Sequence, residues 1–222
     1  MEDGGVWEIF EEHRDRYDEW FEKTPGREIF AIELEALRQE AKKFPHPWLE
    51  VGVGTGRFAQ ALGIEYGVDP SSKMLEMAKK RGITVYHASG EDLPFPDESF
   101  YLVFLIVTIC FLENVSGVLR EIRRVLKKDG GLIIGTILAG SPWAEFYQKK
   151  AAEEGNPFYR YAHFYSLEEI QHFLKQADFH LVRIISTLVQ PPGLTRDVLE
   201  MPTWGVHPKS GFQVIVAQKT AG

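Results

Sequence analysis

Residues 49–58 read Leu-Glu-Val-Gly-Val-Gly-Thr-Gly-Arg-Phe. An apolar run carrying Glu50 leads into three glycines on alternate positions, Gly52, Gly54 and Gly56. The helix formers Arg57-Phe58-Ala59-Gln60-Ala61-Leu62 follow. Glycine has no Cβ, so the backbone can turn tightly there and a ligand can approach the main chain. A glycine-rich turn between a strand and a helix is where open α/β sheets hold nucleotide-like ligands. The dinucleotide fingerprint spaces its glycines Gly-x-Gly-x-x-Gly around a pyrophosphate. Here the third glycine comes one residue early, which counts against a nicotinamide-dependent oxidoreductase.

On either side of this turn the chain has a regular rhythm. Strand-like and helix-like stretches alternate after residue 48, the pattern of parallel βαβ units. The pattern predicts strands at 48–53, 64–68, 84–87, from 100 onward and at 132–138, with helices at 57–62, 70–81 and 116–127. Lys128-Asp129-Gly130-Gly131 reads as a turn. Two amphipathic helices, 6–21 and 27–43, precede the first strand. Ser166-Leu167-Glu168-Glu169 has capping-box spacing and opens a helix to about Ala177. The β-rich segments 179–189 and 212–217 have no convincing helix between them, so they are expected to pair antiparallel at one edge of the sheet. The expectation is one α/β domain over 1–222, with a mostly parallel seven-stranded sheet, an antiparallel edge hairpin and N-terminal helices.

Composition narrows the partners. A formal charge of −7 argues against nucleic acid or anionic lipid bound by counterion release. The basic runs Lys79-Lys80-Arg81 and Arg123-Arg124 with Lys127-Lys128 fall near helix C-termini, where the helix dipole favours them. Cys110 is the single cysteine, which excludes an intrachain disulfide and suits a reducing cytoplasm. Its apolar neighbours mark it as a packed thiol. The apolar run 102–112 is shorter than the roughly 20 residues of a membrane helix. The acidic start Met1-Glu2-Asp3 does not read as a signal peptide, so a cytoplasmic protein with no membrane partner is expected.

Two further features lie near the glycine turn. Asp69 closes the second strand, and in an open sheet a carboxylate there stands beside the turn, able to accept hydrogen bonds from both hydroxyls of a ribose. Asp69 with Pro70 is also a good helix start in its own right. His87-Ala-Ser-Gly-Glu-Asp-Leu-Pro-Phe-Pro-Asp-Glu-Ser-Phe100 is a polar loop fixed by two prolines, with Ser89, Gly90 and Glu91 placed to meet a base edge.

Taken together these stretches resemble the class I S-adenosylmethionine-dependent methyltransferases, in the small-molecule, type 11-like branch. The Gly-x-Gly-x-Gly turn after Glu50 is similar to their first motif. The Leu93-Pro94-Phe95 loop looks like their segment after strand three, with Ser89 where an acidic residue is usual. Phe100-Tyr-Leu-Val103 is similar to their Phe-Asp-x-Val, with Tyr101 in place of Asp. Leu119-Arg-Glu-Ile-Arg-Arg-Val-Leu-Lys-Lys-Asp-Gly-Gly131 resembles their Glu-x-x-Arg-Val-Leu-Lys-x-Gly-Gly stretch. The resemblance covers about residues 15–190.

It implies a Rossmann-like three-layer sandwich and in-line transfer of a methyl group from S-adenosylmethionine to a small-molecule acceptor, whether amine, hydroxyl, thiol or quinone-type carbon. It also distributes roles. Gly52, Gly54, Thr55 and Gly56 form the cofactor turn, Glu50 positions the amino-acid end, and Asp69 holds the ribose. Pro70 and Met74 lie near the adenine, with Ser89, Gly90 and Glu91 on its other side. Val107 and Thr108 face the methionine moiety, and Tyr17, itself a cofactor-binding residue, forms with Trp20 a lid over the sulfonium. Residues 1–45 would be that helical lid and 46–140 the cofactor core. The aromatic-rich segments 141–165 and 190–211 would be substrate-side insertions. No catalytic base stands out; His163 and His207 are the weak candidates by location, and no spacing suggests a metal site. The alternative is a binding module that holds the cofactor without catalysis.

Overall fold

The computed structural model describes residues 6–153, 156–193 and 200–220. The chain begins with short helices α1 (Trp7–Glu12) and α2 (Arg14–Trp20), separated at His13, where the sequence suggested one continuous helix. Then α3 (Gly26–Ala41) leads to β1 (Trp48–Val51), α4 (Arg57–Leu62), β2 (Tyr66–Asp69), α5 (Ser72–Lys80), β3 (Thr84–His87) and β4 (Phe100–Ile106). The remaining elements are α6 (Val115–Val125), β5 (Leu126–Thr136), α7 (Pro142–Glu153), α8 (Leu167–Gln176), β6 (Phe179–Thr187), β7 (Thr203–Trp204) and β8 (Phe212–Lys219).

The sheet has eight strands in the order β3-β2-β1-β4-β5-β8-β6-β7. Strands β1 to β5 are parallel, and β8 runs antiparallel to both β5 and β6. The antiparallel pair expected at one edge is present as β6 with β8. The expected count of seven strands is corrected to eight by the two-residue β7, and the inner place in the pair, between β5 and β6, is taken by β8. Its composition accounts for that: Phe212–Ala217 is buried throughout, as a strand with neighbours on both sides and both faces covered must be. The turn read at 128–131 is also different. Phe100 pairs with Leu126 and Leu102 with Gly131, so residues 127–130 bulge out of the β4 ladder within β5.

Side chains alternate across the strands and feed two cores. Leu102, Phe104 and Ile106 face α3, α4 and α7, whereas Val103 and Leu105 face α6 and α8. The result is a three-layer sandwich. Strand order reverses between β1 and β4, and in open α/β sheets the crevice at the carboxyl ends of such strands is the ligand site.

Candidate functional site

A cavity of about 710 Å³ occupies that crevice. Its floor is the turn after β1. Gly52, Gly54 and Gly56 all have positive φ, +78°, +52° and +80°, but each glycine answers a different demand. A Cβ on Gly52 would lie 2.4 Å from Thr108 Cγ2, and one on Gly56 would lie 2.9 Å from Ala78 Cα of α5. Those two glycines allow parts of the protein to approach one another. A Cβ on Gly54 would meet nothing nearer than Met74 Cε at 3.9 Å, so Gly54 is the glycine that faces the cavity.

Asp69 is bound to this turn. Its Oδ2 accepts the Gly54 N–H at 2.9 Å, and its Oδ1 accepts the Ser71 N–H at 2.9 Å. The helix start suggested for Asp69 and Pro70 lies instead at Ser71, whose Oγ accepts the Met74 N–H at 3.2 Å. The Asp69 carboxylate is therefore fixed by two backbone donors while lining the cavity, and burial pushes it up to about 6. Pro70, Met74, Ser89, Gly90, Glu91, Val107 and Thr108 line the same cavity. Val107 holds φ +51°, a conformation that β-branched residues rarely adopt, with its N–H on Gly135 O at 2.8 Å.

Three residues named with them do not reach the wall. Thr55 and Gly56 are buried behind the turn. Glu50 is 2 % exposed beneath it, with its Oε2 unpaired. Burial, reinforced by the charge of Asp69, raises its pKa far above the ordinary carboxylate range.

The roof comes from the N-terminal helices. Tyr17 and Trp20 line the cavity, joined by Phe10. Phe10 packs edge-on to Tyr17 at 5.7 Å and to Phe111 at 4.9 Å, and Tyr17 packs on Phe158 at 5.6 Å. This roof is pinned by ions that sequence reasoning missed. Asp18 accepts from Arg57 Nε at 2.9 Å and Nη2 at 2.5 Å, and from Arg81 Nη2 at 2.9 Å. Burial raises the Asp18 carboxyl, but Arg57 and Arg81 outweigh it and hold the group at about 2. Glu22 also pairs with Arg57. Thus α2 is tied to α4 and to the end of α5.

Of the aromatic residues expected on the substrate side, Tyr147, Phe158 and Tyr159 line the cavity. Tyr147 and Tyr159 stack at 4.1 Å. Trp143 is instead a core residue, 1 % exposed, and Trp204 lies out at the sheet edge with the Arg183 guanidinium 4.7 Å from its ring. Among the described residues of 190–211 none lines the cavity; 194–199 lie outside the described residues. Neither histidine candidate reaches it. The His163 ring packs tilted against Tyr165 at 4.4 Å and its backbone N–H donates to Cys110 O, and the His207 Nδ1 accepts from the Lys209 N–H. Cys110 is buried and unbridged, its thiol pushed up to about 12 by burial, as a packed thiol requires. Among the described residues no group of three metal-ligating side chains converges.

Sequence reasoning also missed Glu33. It lies on α3 at four-residue spacing from Ile29 and Leu37, on the stripe that packs inward. The side chain is 6 % exposed and lines the cavity, and burial lifts it to about 8. Burial also raises Tyr17, Tyr147 and Tyr159 above their ordinary value, and nearby carboxylates including Glu33 add to this. The signal was an acidic residue interrupting an apolar stripe.

Comparison with known proteins places the chain in a family. Residues 49–134 match the family described as methyltransferase domain. An uncharacterised protein of Mycobacterium bovis is 42 % identical over 201 residues, covering 90 % of this chain and 70 % of its own. An uncharacterised protein of Methanocaldococcus jannaschii is 36 % identical over 211 residues, covering 95 % of this chain and 98 % of its own. The crystal structure of a Thermotoga maritima S-adenosylmethionine-dependent methyltransferase, described as a possible histamine N-methyltransferase, superposes with a TM-score of 0.87. It is 35 % identical and covers 97 % of this chain and 100 % of its own.

Proposed function

Because this chain belongs to the S-adenosylmethionine-dependent methyltransferases, we propose that it methylates a small-molecule acceptor held in the cavity under the N-terminal helices. S-adenosylmethionine, when bound, supplies an electrophilic methyl group on a sulfonium. The observation that carries the acceptor reading is the continuity of the cavity. One continuous cavity is lined both by the glycine turn and Asp69 and by the aromatic side chains Tyr17, Trp20, Tyr147, Phe158 and Tyr159.

The first half suits a nucleoside. Gly54 offers an open approach to the backbone, and Asp69 presents a carboxylate already oriented by two N–H groups. Pro70 and Met74 on one side, with Ser89, Gly90 and Glu91 on the other, would enclose the base. Val107 and Thr108, after β4, would face the methionine portion. Glu50, Thr55 and Gly56 act indirectly, by fixing the shape of the turn and the start of α4. The second half, under Tyr17 and Trp20, would take the acceptor. Its apolar wall excludes water and lets alignment of the reacting atoms carry the rate, an effect worth up to about 7–11 kcal/mol in well-oriented systems. No residue is assigned as a base, since His163 and His207 lie off the cavity wall. In this arrangement residues 1–45 act as the lid, 46–140 as the cofactor core, and 141–165 contributes the acceptor wall.

The reading is tested by incubating the protein with methyl-labelled donor and matched amines, alcohols, thiols, phenols and quinones. Label transfer to a small molecule is the expected result. Donor binding with no transfer to any class would leave a cofactor-binding module.

A further inference from the structure

The aromatic half of the cavity contains one ionisable group that nothing in the fold explains. Glu33 is 6 % exposed on a helix whose same-face neighbours Ile29 and Leu37 are core residues. Two other buried acids have cationic partners: Glu40 binds Arg183 at 2.6 Å and Lys43 at 2.6 Å, and Asp18 binds Arg57 and Arg81. Among the described residues no donor and no cation pairs with Glu33. A buried carboxylate without a partner is among the more costly arrangements in a protein interior. The rings of Tyr17, Trp20, Tyr147, Phe158 and Tyr159 line the same cavity, as do Arg16, Lys23 and Lys150, none of which pairs with Glu33.

That combination selects one ligand chemistry. A neutral hydroxyl, thiol or quinone gives the buried acid no charge partner and leaves it protonated, and an anionic acceptor would oppose its ionisation. An ammonium group supplies both a charge partner and N–H donors, and aromatic faces attract it in addition. The nearby Lys150 does not fill this role, as its Nζ lies over the Phe146 ring at 5.0 Å. We infer that the methyl acceptor is an amine protonated in solution, held through its ammonium group by the Glu33 carboxylate beside Tyr17, Tyr147 and Tyr159. Before transfer the ammonium gives one proton to that carboxylate, and the freed nitrogen lone pair forms the new N–CH3 bond as the methyl–sulfur bond breaks. This rests on the methyl-transfer reading above and specifies its substrate class. Glu33 is here a substrate-binding residue that lines the same cavity as the glycine turn.

The test uses matched pairs, each amine beside the alcohol of the same skeleton, from butyl to phenylethyl and indolylethyl. Each is titrated calorimetrically into full-length protein loaded with S-adenosylhomocysteine, in wild type, Glu33→Gln and Glu33→Asp. In wild type at least one amine should bind tenfold or more tightly than its alcohol. Glu33→Gln should reduce that preference to less than threefold while S-adenosylhomocysteine affinity stays within twofold of wild type, and Glu33→Asp should restore part of it. A loss of structure alone would not change cation-over-neutral selectivity in this way. The inference is overturned if no amine in the series binds, if alcohols bind wild type as tightly as amines, or if Glu33→Gln keeps the preference. Failure of S-adenosylhomocysteine to bind the wild type is a separate result, and it removes the methyl-transfer reading together with this one.

Discussion

The Asp69 carboxylate is hydrogen-bonded to the backbone of Gly54, its Oδ2 accepting the N–H at 2.9 Å. This bond joins the end of β2 to the turn after β1, so the acidic group and the glycine that opens to the cavity are held as one unit. Asp69→Ala should therefore weaken donor binding by about 1–3 kcal/mol, roughly 5- to 150-fold, the range for removing a charged hydrogen-bond partner. Burial sets Asp69 at about 6, so its ionised form is lost as pH falls through that value. Calorimetry with S-adenosylhomocysteine should show affinity declining below pH 6 in wild type, and Asp69→Asn should flatten that dependence.

The glycines can be separated by what a side chain would meet. Gly54→Val places its side chain toward the cavity at φ +52° and should abolish donor binding, with a stability loss of about 1–2 kcal/mol for the left-handed backbone. Gly56→Ala forces a Cβ to within 2.9 Å of Ala78 Cα and should cost more in thermal stability than in binding. Thermal unfolding combined with donor calorimetry on the two variants distinguishes these patterns. Equal effects of both substitutions on both measurements would contradict the assignment of Gly54 to the cavity.

Asp18 holds the roof down through Arg57 and Arg81. Its folded pKa is about 2 against an ordinary 3.8, so the pairing stabilises the fold above pH 4 and is lost as pH falls toward 2. The difference corresponds to about 2 kcal/mol. Asp18→Asn should accelerate amide exchange across residues 14–20, lower the melting temperature near neutral pH, and lose that deficit in acid. Unchanged exchange in α2 would show that the helix is held by packing alone.

Glu33 has the opposite sign. Its folded pKa of about 8 lies above the ordinary 4.5, so the empty fold is favoured at low pH and penalised as pH rises from 4.5 to 8, by about 1.4 kcal/mol per unit. Of the side chains lining the cavity with it, Lys150 and Tyr147 come from α7, Tyr17 from α2, and Tyr159 from the segment after α7; burial raises all three tyrosines above their ordinary value, with nearby carboxylates adding to it, so the phenols stay neutral in this window. Glu33→Gln should match wild type near pH 4 and exceed it by about 3 kcal/mol or more near pH 8, measured by denaturant unfolding. A constant difference across that range would mean that Glu33 is already neutralised in the wild type.

The sequence by itself determined whatever depends on neighbours along the chain. Three alternate glycines after an apolar run require a strand–turn–helix, and Ser166 with Glu169 at N3 forms the capping box that the spacing demands. Alternating elements after residue 48 require parallel strands, and Asp69 at the end of β2 stands beside the glycine turn because adjacent parallel strands end together. Tertiary structure decided what depends on distant segments meeting. The last strand enters the sheet between β5 and β6 because its buried run needs partners on both edges. His163 and His207 fall away from the cavity because their loops pack elsewhere. Glu33 reads locally as an ordinary helix acid and becomes a buried carboxylate only when α3 packs beneath Tyr147 and Tyr159, more than a hundred residues along the chain. Local spacing encodes backbone geometry, whereas desolvation of a charge is set by everything that surrounds it, and only the closed fold supplies those surroundings.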